Sequence, residues 1–166
     1  MKTTLLISLP LETGAGTFVA HYSECGLAGL DFPQAKSRKP AMPASIPLAI
    51  RQWHALTTKA VKATLAGRLP AEFPPLDVSR GTEFQQRVWE ELLWIPCGET
   101  RSYGEIAKSV RKPKAVRAVG GACGANPIPL LIPCHRVLAA NRKIGGFSGG
   151  LEWKKKLLAT EGVVLN

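Results

Sequence analysis

The stretch Ser102-Tyr103-Gly104-Glu105-Ile106-Ala107-Lys108-Ser109-Val110-Arg111-Lys112-Pro113-Lys114-Ala115-Val116-Arg117-Ala118-Val119-Gly120-Gly121 reads as two short helices joined by a tight basic turn. Ser102 and Glu105 have capping-box spacing: the hydroxyl and the carboxylate each satisfy a backbone N–H that the first helical turn leaves orphaned. This opens a helix running through Ala107. Pro113, with fixed φ and no N–H to lose, suits the first position of a second helix, expected from Lys114 to about Cys123. Such a pair suggests a helix-turn-helix. The second helix is poor in bulk, with Ala115, Ala118, Gly120, Gly121 and Ala122, and Arg117 is its one long basic side chain in the middle. A helix this bare can approach another backbone closely, whether that of a packed helix or of DNA.

Upstream, Thr82-Glu83-Phe84-Gln85 is another capping box. Phe84, Val88 and Leu92 recur at helical spacing beside Trp89 and Leu93 until Pro96 and Gly98 stop the helix. Downstream, Asn126-Pro127 ends the bare helix. The apolar run of residues 128–132 is expected as a buried strand or extended loop leading into Pro133-Cys134-His135-Arg136-Val137. A last helix starts around Leu151. In the first half, residues 4–9, 17–22 and 27–32 carry strand signals separated by the turns Gly14-Ala15-Gly16 and Cys25-Gly26, giving a small antiparallel meander. Residues 36–45 read as a loop, residues 47–66 as helix closed by Gly67, and Pro70, Pro74 and Pro75 mark a linker or edge strand. The boundary between two small domains, 1–80 and 81–166, falls near Arg80-Gly81. All four tryptophans are expected in the core, and His21 and His54 in structural roles.

The chain has 166 residues, 45% hydrophobic and 20% charged, which excludes a disordered protein. Its net charge is +10, and the surplus is concentrated: residues 101–143 hold nine basic residues against Glu105 alone. That concentration favours a polyanionic partner, most often nucleic acid, with a solvated basic face as the alternative. The N-terminus is faintly like a signal peptide, but Pro10 interrupts its short apolar run and Glu12 follows without a small-residue cleavage site. No stretch approaches a membrane span. A cytoplasmic protein is expected, associated with the nucleoid in a prokaryote or nuclear in a eukaryote.

Cys25, Cys97, Cys123 and Cys134 form no C-x-x-C pair and no zinc-ligand spacing, so neither a disulfide framework nor a metal site is expected. Cys134 differs from the others in its surroundings. Cysteine chemistry needs thiolate, and basic neighbours or an imidazole supply it. Cys134 is followed by His135 and Arg136, although sequence neighbours point apart, so a bridging water would have to carry the proton. Glu161 is a candidate by position to orient the imidazole. The alternative is a buried structural cysteine beside a satisfied core histidine.

Together, Arg117-Ala118-Val119-Gly120-Gly121, Asn126-Pro127 and Ile132-Pro133-Cys134-His135-Arg136-Val137 resemble the signature of the methylated-DNA–protein-cysteine methyltransferases, the suicidal O6-alkylguanine-DNA alkyltransferases. The likeness extends over Thr82-Glu83-Phe84-Gln85, Val88-Trp89, Ile95-Pro96-Cys97-Gly98, Ser102-Tyr103-Gly104-Glu105-Ile106-Ala107 and Gly145-Gly146-Phe147-Ser148-Gly149-Gly150, nearly all of residues 81–164. It implies an α/β (α+β) chain of two small domains, an N-terminal ribonuclease-H-like sheet with a helix and a C-terminal winged-helix-like DNA-binding and catalytic domain.

The resemblance also implies roles. Cys134 would take the alkyl group of O6-alkylguanine, with O4-alkylthymine as a second candidate lesion, and keep it as a thioether, so that each molecule acts once. His135 would receive the thiol proton through water, held by Glu161. Tyr103 would press on the target phosphate and donate toward the departing guanine. Arg117 would enter the base stack from the minor groove, with Ala118 beside it and Arg111, Lys112 and Lys114 on phosphates. Asn126 would brace the turn presenting Cys134, and Arg136 would be a structural ion-pair partner. The backbone around Val137, with Ser148 and Phe147, would border the guanine pocket. Phe147 stands where many relatives carry a tyrosine. The implied partner is double-stranded DNA bound by a monomer, with cooperativity along DNA left open, and no metal or organic cofactor is implied. The competing readings are a lesion-binding relative without transfer, against which Cys134 argues; a helix-turn-helix transcription factor, against which the bare helix argues; and a thiol hydrolase, which leaves the basic cluster unused.

Overall fold

The computed structural model describes residues 6–34 and 39–165. Strands β1 (Ile7–Thr13), β2 (Gly16–Tyr22) and β3 (Leu27–Asp31) form an antiparallel sheet in that order. The alternation of the strands places Leu9, Leu11, Phe18, Ala20 and Tyr22 on the buried face. β1 runs on past Pro10 to Thr13, beyond the end expected at Leu9 (residues 4 and 5 lie outside the described residues). As an edge strand, β1 can accept a proline without losing the ladder. Helix α1 (Leu48–Leu65) packs against β1 and β2. His54 on α1 is tied to the Tyr22 hydroxyl at 3.0 Å, and His21 bridges Ser8 and Asp31, so both histidines are structural.

The proline-rich segment that follows pairs beside β3. The Leu27 N–H donates to Pro75 at 2.8 Å and the Asp77 N–H to Leu27 at 2.7 Å. Both expected capping boxes are formed. Thr82 opens α2 (Glu83–Leu93), with its Oγ1 accepting from the Gln85 N–H at 3.2 Å and its own N–H donating to Gln85 at 2.9 Å. Ser102 and Glu105 do the same for α3 (Tyr103–Ser109) at 3.1 and 2.7 Å.

The next helix, α4 (Val116–Gly124), starts later than expected. Pro113 is not its first residue but sits in a turn closed by the Ala115 N–H on the Lys112 carbonyl at 2.8 Å, entered through Arg111 in the left-handed region (φ 59°). Proline pre-sets such a turn as readily as a helix start. α2, α3 and α4 pack on one another, and the Trp89 indole donates to the Ala122 carbonyl at 2.8 Å. β4 (Arg101–Ser102) pairs in parallel with β5 (Val137–Leu138), which follows a 3₁₀ turn at Cys134–Arg136, and α5 (Leu151–Thr160) closes the chain. Buried residues of the sheet and of α2–α4 form one continuous cluster. Trp89 lies inside it and Trp53 and Trp153 pack at its margin, but Trp94, at the C-cap of α2, is 76% exposed and is not core. The α2 face that includes Val88, Trp89 and Leu92 has rotated away from the core by that residue.

Candidate active site

Residues 128–132 form neither a strand nor an extended loop but a compact buried turn, with the Ile132 N–H on the Ile128 carbonyl at 2.9 Å and Leu130 at φ 74°. Pro127, Pro129 and Pro133 stand at alternate positions, so one edge of any strand here would lack most of its donors. Buried backbone then needs other partners. Asn126 supplies them: its Oδ1 accepts from the Ile128 N–H at 3.0 Å, and its Nδ2 donates to the Ile132 carbonyl at 2.8 Å and to the Cys134 sulfur at 3.1 Å. The bracing role given to Asn126 by resemblance therefore has a geometric basis.

Cys134 opens the 3₁₀ turn and is 4% exposed. Burial pushes its thiol pKa up, while the Asn126 hydrogen bond and the charge of Lys154 pull it down. His135 is fully buried, with Nε2 2.9 Å from Glu161 Oε1. Arg136 grips the same carboxylate twice, through Nε at 2.9 Å and Nη2 at 2.8 Å, and donates to the Ile95 carbonyl at 2.7 Å. For Glu161, burial acts to raise the pKa, but the hydrogen bonds from His135 and Arg136 outweigh it and hold the carboxyl at about 2. An ionised carboxylate only accepts, so Nε2 must carry the proton. Burial lowers the imidazole's pKa, offset in part by Glu161, so the ring is neutral near physiological pH. Nδ1 is buried with no hydrogen-bond partner among the described residues, so its lone pair is free to accept a proton. The Phe147 ring stands edge-on to His135, with centroids 6.5 Å apart.

Cys134 opens into a cavity of about 270 Å³ lined by Tyr103, Gly120, Cys123, Phe147 and Ser148, among others. Three larger clefts lie elsewhere among the described residues, along α2, beside Trp94 and between Phe32 and Pro127, and none contains the thiol. Val137 does not line the cavity as expected. It is fully buried in β5, and its carbonyl accepts from Lys154 instead. Gly145 (φ +68°) passes under Tyr103 so closely that a Cβ there would lie 2.9 Å from the phenolic oxygen. Beside the cavity, Lys108, Arg111, Lys112, Lys114, Arg117 and Ala118 are all exposed on α3, the turn and α4. Val119, Ala122 and Cys123 face inward. A Cβ added at Gly120, Gly121 or Gly124 would meet nothing within 4 Å, so packing inside the protein does not require this helix to be bare.

Residues 83–163 match the family model described as 6-O-methylguanine DNA methyltransferase, DNA binding domain. A methylated-DNA–protein-cysteine methyltransferase of Mycobacterium bovis is 54% identical over 101 residues, 61% of this chain and 61% of that protein. The matched stretch thus spans less than two thirds of that relative's length. The likeness in three dimensions is wider. The crystal structure of Mycobacterium tuberculosis OGT in complex with DNA superposes with a TM-score of 0.76 at 39% identity, covering 93% of this chain and 91% of the other.

The chain belongs to the methylated-DNA–protein-cysteine methyltransferase family.

The O6-methylguanine-DNA methyltransferase of Pyrococcus kodakaraensis, at 26% identity and a TM-score of 0.65, covers 96% of this chain and all of its own. These likenesses extend to the sheet half, which lies outside the residues 81–164 that carry the sequence resemblance. One residue near the site escaped the sequence reading. Lys154 on α5 is fully buried, donating to the Val137 carbonyl at 2.6 Å and the Gly146 carbonyl at 3.0 Å. The signal was available: Lys154, Leu157 and Leu158 share the apolar face of α5, where a lysine does not belong unless its ammonium has partners.

Proposed function

We propose that the chain repairs DNA by moving the alkyl group of O6-alkylguanine onto Cys134 in a single irreversible turnover. The observation that carries this reading is a buried cysteine, held by Asn126 at a cavity wall, next to a neutral imidazole whose free Nδ1 is set by the Glu161–Arg136 pair. Cys134 Sγ attacks the alkyl carbon, the carbon–O6 bond breaks, and its electron pair goes to the guanine. The thiol proton passes through a water to His135 Nδ1, and the departing guanine takes a proton from the Tyr103 hydroxyl. The product thioether has no route back, so the protein is consumed.

A lesion inside a duplex must be extruded to reach such a cavity, and a damaged pair costs less to open. In our reading Arg117 fills the vacated stack from the minor groove, while Ala118 and the glycines of α4 let the helix sit close to the backbone. Lys112, Lys114 and Arg111 neutralise phosphates without reading sequence. Ser148 and Phe147 border the flipped base. We take the acting species to be a monomer, in a reducing, cytoplasmic setting that suits its free cysteines. The test is Cys134→Ala. It should abolish loss of O6-methylguanine from a duplex while leaving duplex binding in place; retained transfer would overturn the assignment of the nucleophile.

A further inference from the structure

Lys154 is 0% exposed, and among the described residues no carboxylate lies within ion-pair distance of it. A lone buried ammonium is costly, and proteins keep one only where other groups repay it. Two of its three donors go to main-chain carbonyls of separate segments, Val137 in β5 at 2.6 Å and Gly146 at 3.0 Å. Val137 lies just after the 3₁₀ turn that carries Cys134, and Gly146 lines the cavity itself. A neutral donor would serve that clamp equally well, so the hydrogen bonds account for the position of the side chain but not for its charge. The titratable groups that face it are Cys134, Cys123 on α4 and His135. Of these, only the thiols can become anions, and Cys134 is the one at which the reaction develops negative charge.

We propose that Lys154 is a positioning residue that acts through Cys134: its ammonium is the standing counter-charge of the Cys134 thiolate, and its two hydrogen bonds fix the Gly146 wall against β5. The inference rests on the alkyl-transfer reading of the site. It is consistent with the titration behaviour, in which burial lowers the Lys154 pKa to about 8 while the two cysteines raise it. The protein would then hold its base and its counter-charge on separate elements. His135 removes the proton, and Lys154 stabilises what is left behind.

The experiment follows the pH dependence of Cys134 methylation by methyl iodide, read by peptide mass spectrometry, in the full chain and in Lys154→Gln. The glutamine amide can still donate to a carbonyl but carries no charge. Loss of an adjacent opposite charge should move the midpoint to higher pH by at least one unit, which is about a tenfold slower reaction on the rising limb. Lys154→Arg should restore the midpoint at least in part. An unchanged midpoint in a folded Lys154→Gln protein would overturn the proposal. Should Lys154→Gln fail to fold, the reciprocal measurement needs no change at Lys154: the Nζ titration of Lys154, followed by NMR, should move to lower pH in Cys134→Ala, and an unmoved titration overturns the proposal. Transfer from an O6-methylguanine duplex, measured in parallel on the unmodified chain, separates this outcome from failure of the alkyl-transfer reading.

Discussion

The side-chain amide of Asn126 donates to the sulfur of Cys134 across 3.1 Å, from eight residues earlier in the chain. The same side chain satisfies the backbone of Ile128 and Ile132, so one residue both builds the buried turn and aims the thiol. Asn126→Ala would leave the buried Ile128 N–H without its acceptor, whereas the Ile132 carbonyl keeps the Cys134 N–H as a donor at 2.8 Å. We expect a loss of about 1–3 kcal/mol in urea unfolding, together with slower single-turnover transfer.

Glu161 links stability to pH. Its carboxyl is held at about 2 in the fold against an ordinary value of 4.5, so the unfolded chain takes up the proton first as pH falls. Its contribution is therefore complete above about 4.5 and is lost progressively down to about 2, on the order of 3 kcal/mol in total. Glu161→Gln should unfold more easily near neutrality, because Arg136 is left buried and unpaired, and should show a shallower acid loss than the unmodified chain. Urea midpoints across the acid range test this. Equal acid slopes in the two proteins would contradict it.

Gly145 sits at φ +68° with the Tyr103 hydroxyl directly above it. Gly145→Ala meets a strained backbone, costing about 1–2 kcal/mol, and a contact that only movement of Tyr103 or of the 145–150 segment relieves. Transfer should slow with both duplex and free O6-benzylguanine, because the displaced phenol serves both. A normal rate in a folded Gly145→Ala protein would argue against a role for Tyr103.

Arg117 is exposed, and in the proposed function it acts on DNA alone. Arg117→Ala should leave stability within about 0.5 kcal/mol and leave reaction with free O6-benzylguanine intact, while slowing repair in duplex DNA. Equal losses on both substrates would count against the wedge. Lys112→Ala should weaken duplex binding uniformly across sequences and reduce the salt slope by about one phosphate contact.

The local signals that fix the helical half were legible because they act within a few residues. The Thr82 and Ser102 caps and the apolar face of α2 need no tertiary information. The thiol was conspicuous, but its chemistry was not: Cys134 and His135 are neighbours, and only the fold brings Glu161 to His135 and Asn126 to the sulfur. Where a residue suits two local structures, packing decides, as with Pro113 in a turn rather than a helix start. The resemblance places the backbone around Val137 at the pocket, yet Val137 is fully buried in β5 and its carbonyl is taken by Lys154. The apolar face of α5 marks Lys154 as out of place, but what holds it there, two carbonyls 8 and 17 residues away in sequence, is not legible locally.

In the proposed reaction Cys134 is the acceptor and is used once. Intact-protein and peptide mass spectrometry after incubation with excess O6-methylguanine duplex tests it most directly. A single methyl group on Cys134, saturating at one per molecule, is expected. A protein that binds the duplex yet gains no mass, or gains it on Cys123 or Cys97 instead, would contradict it.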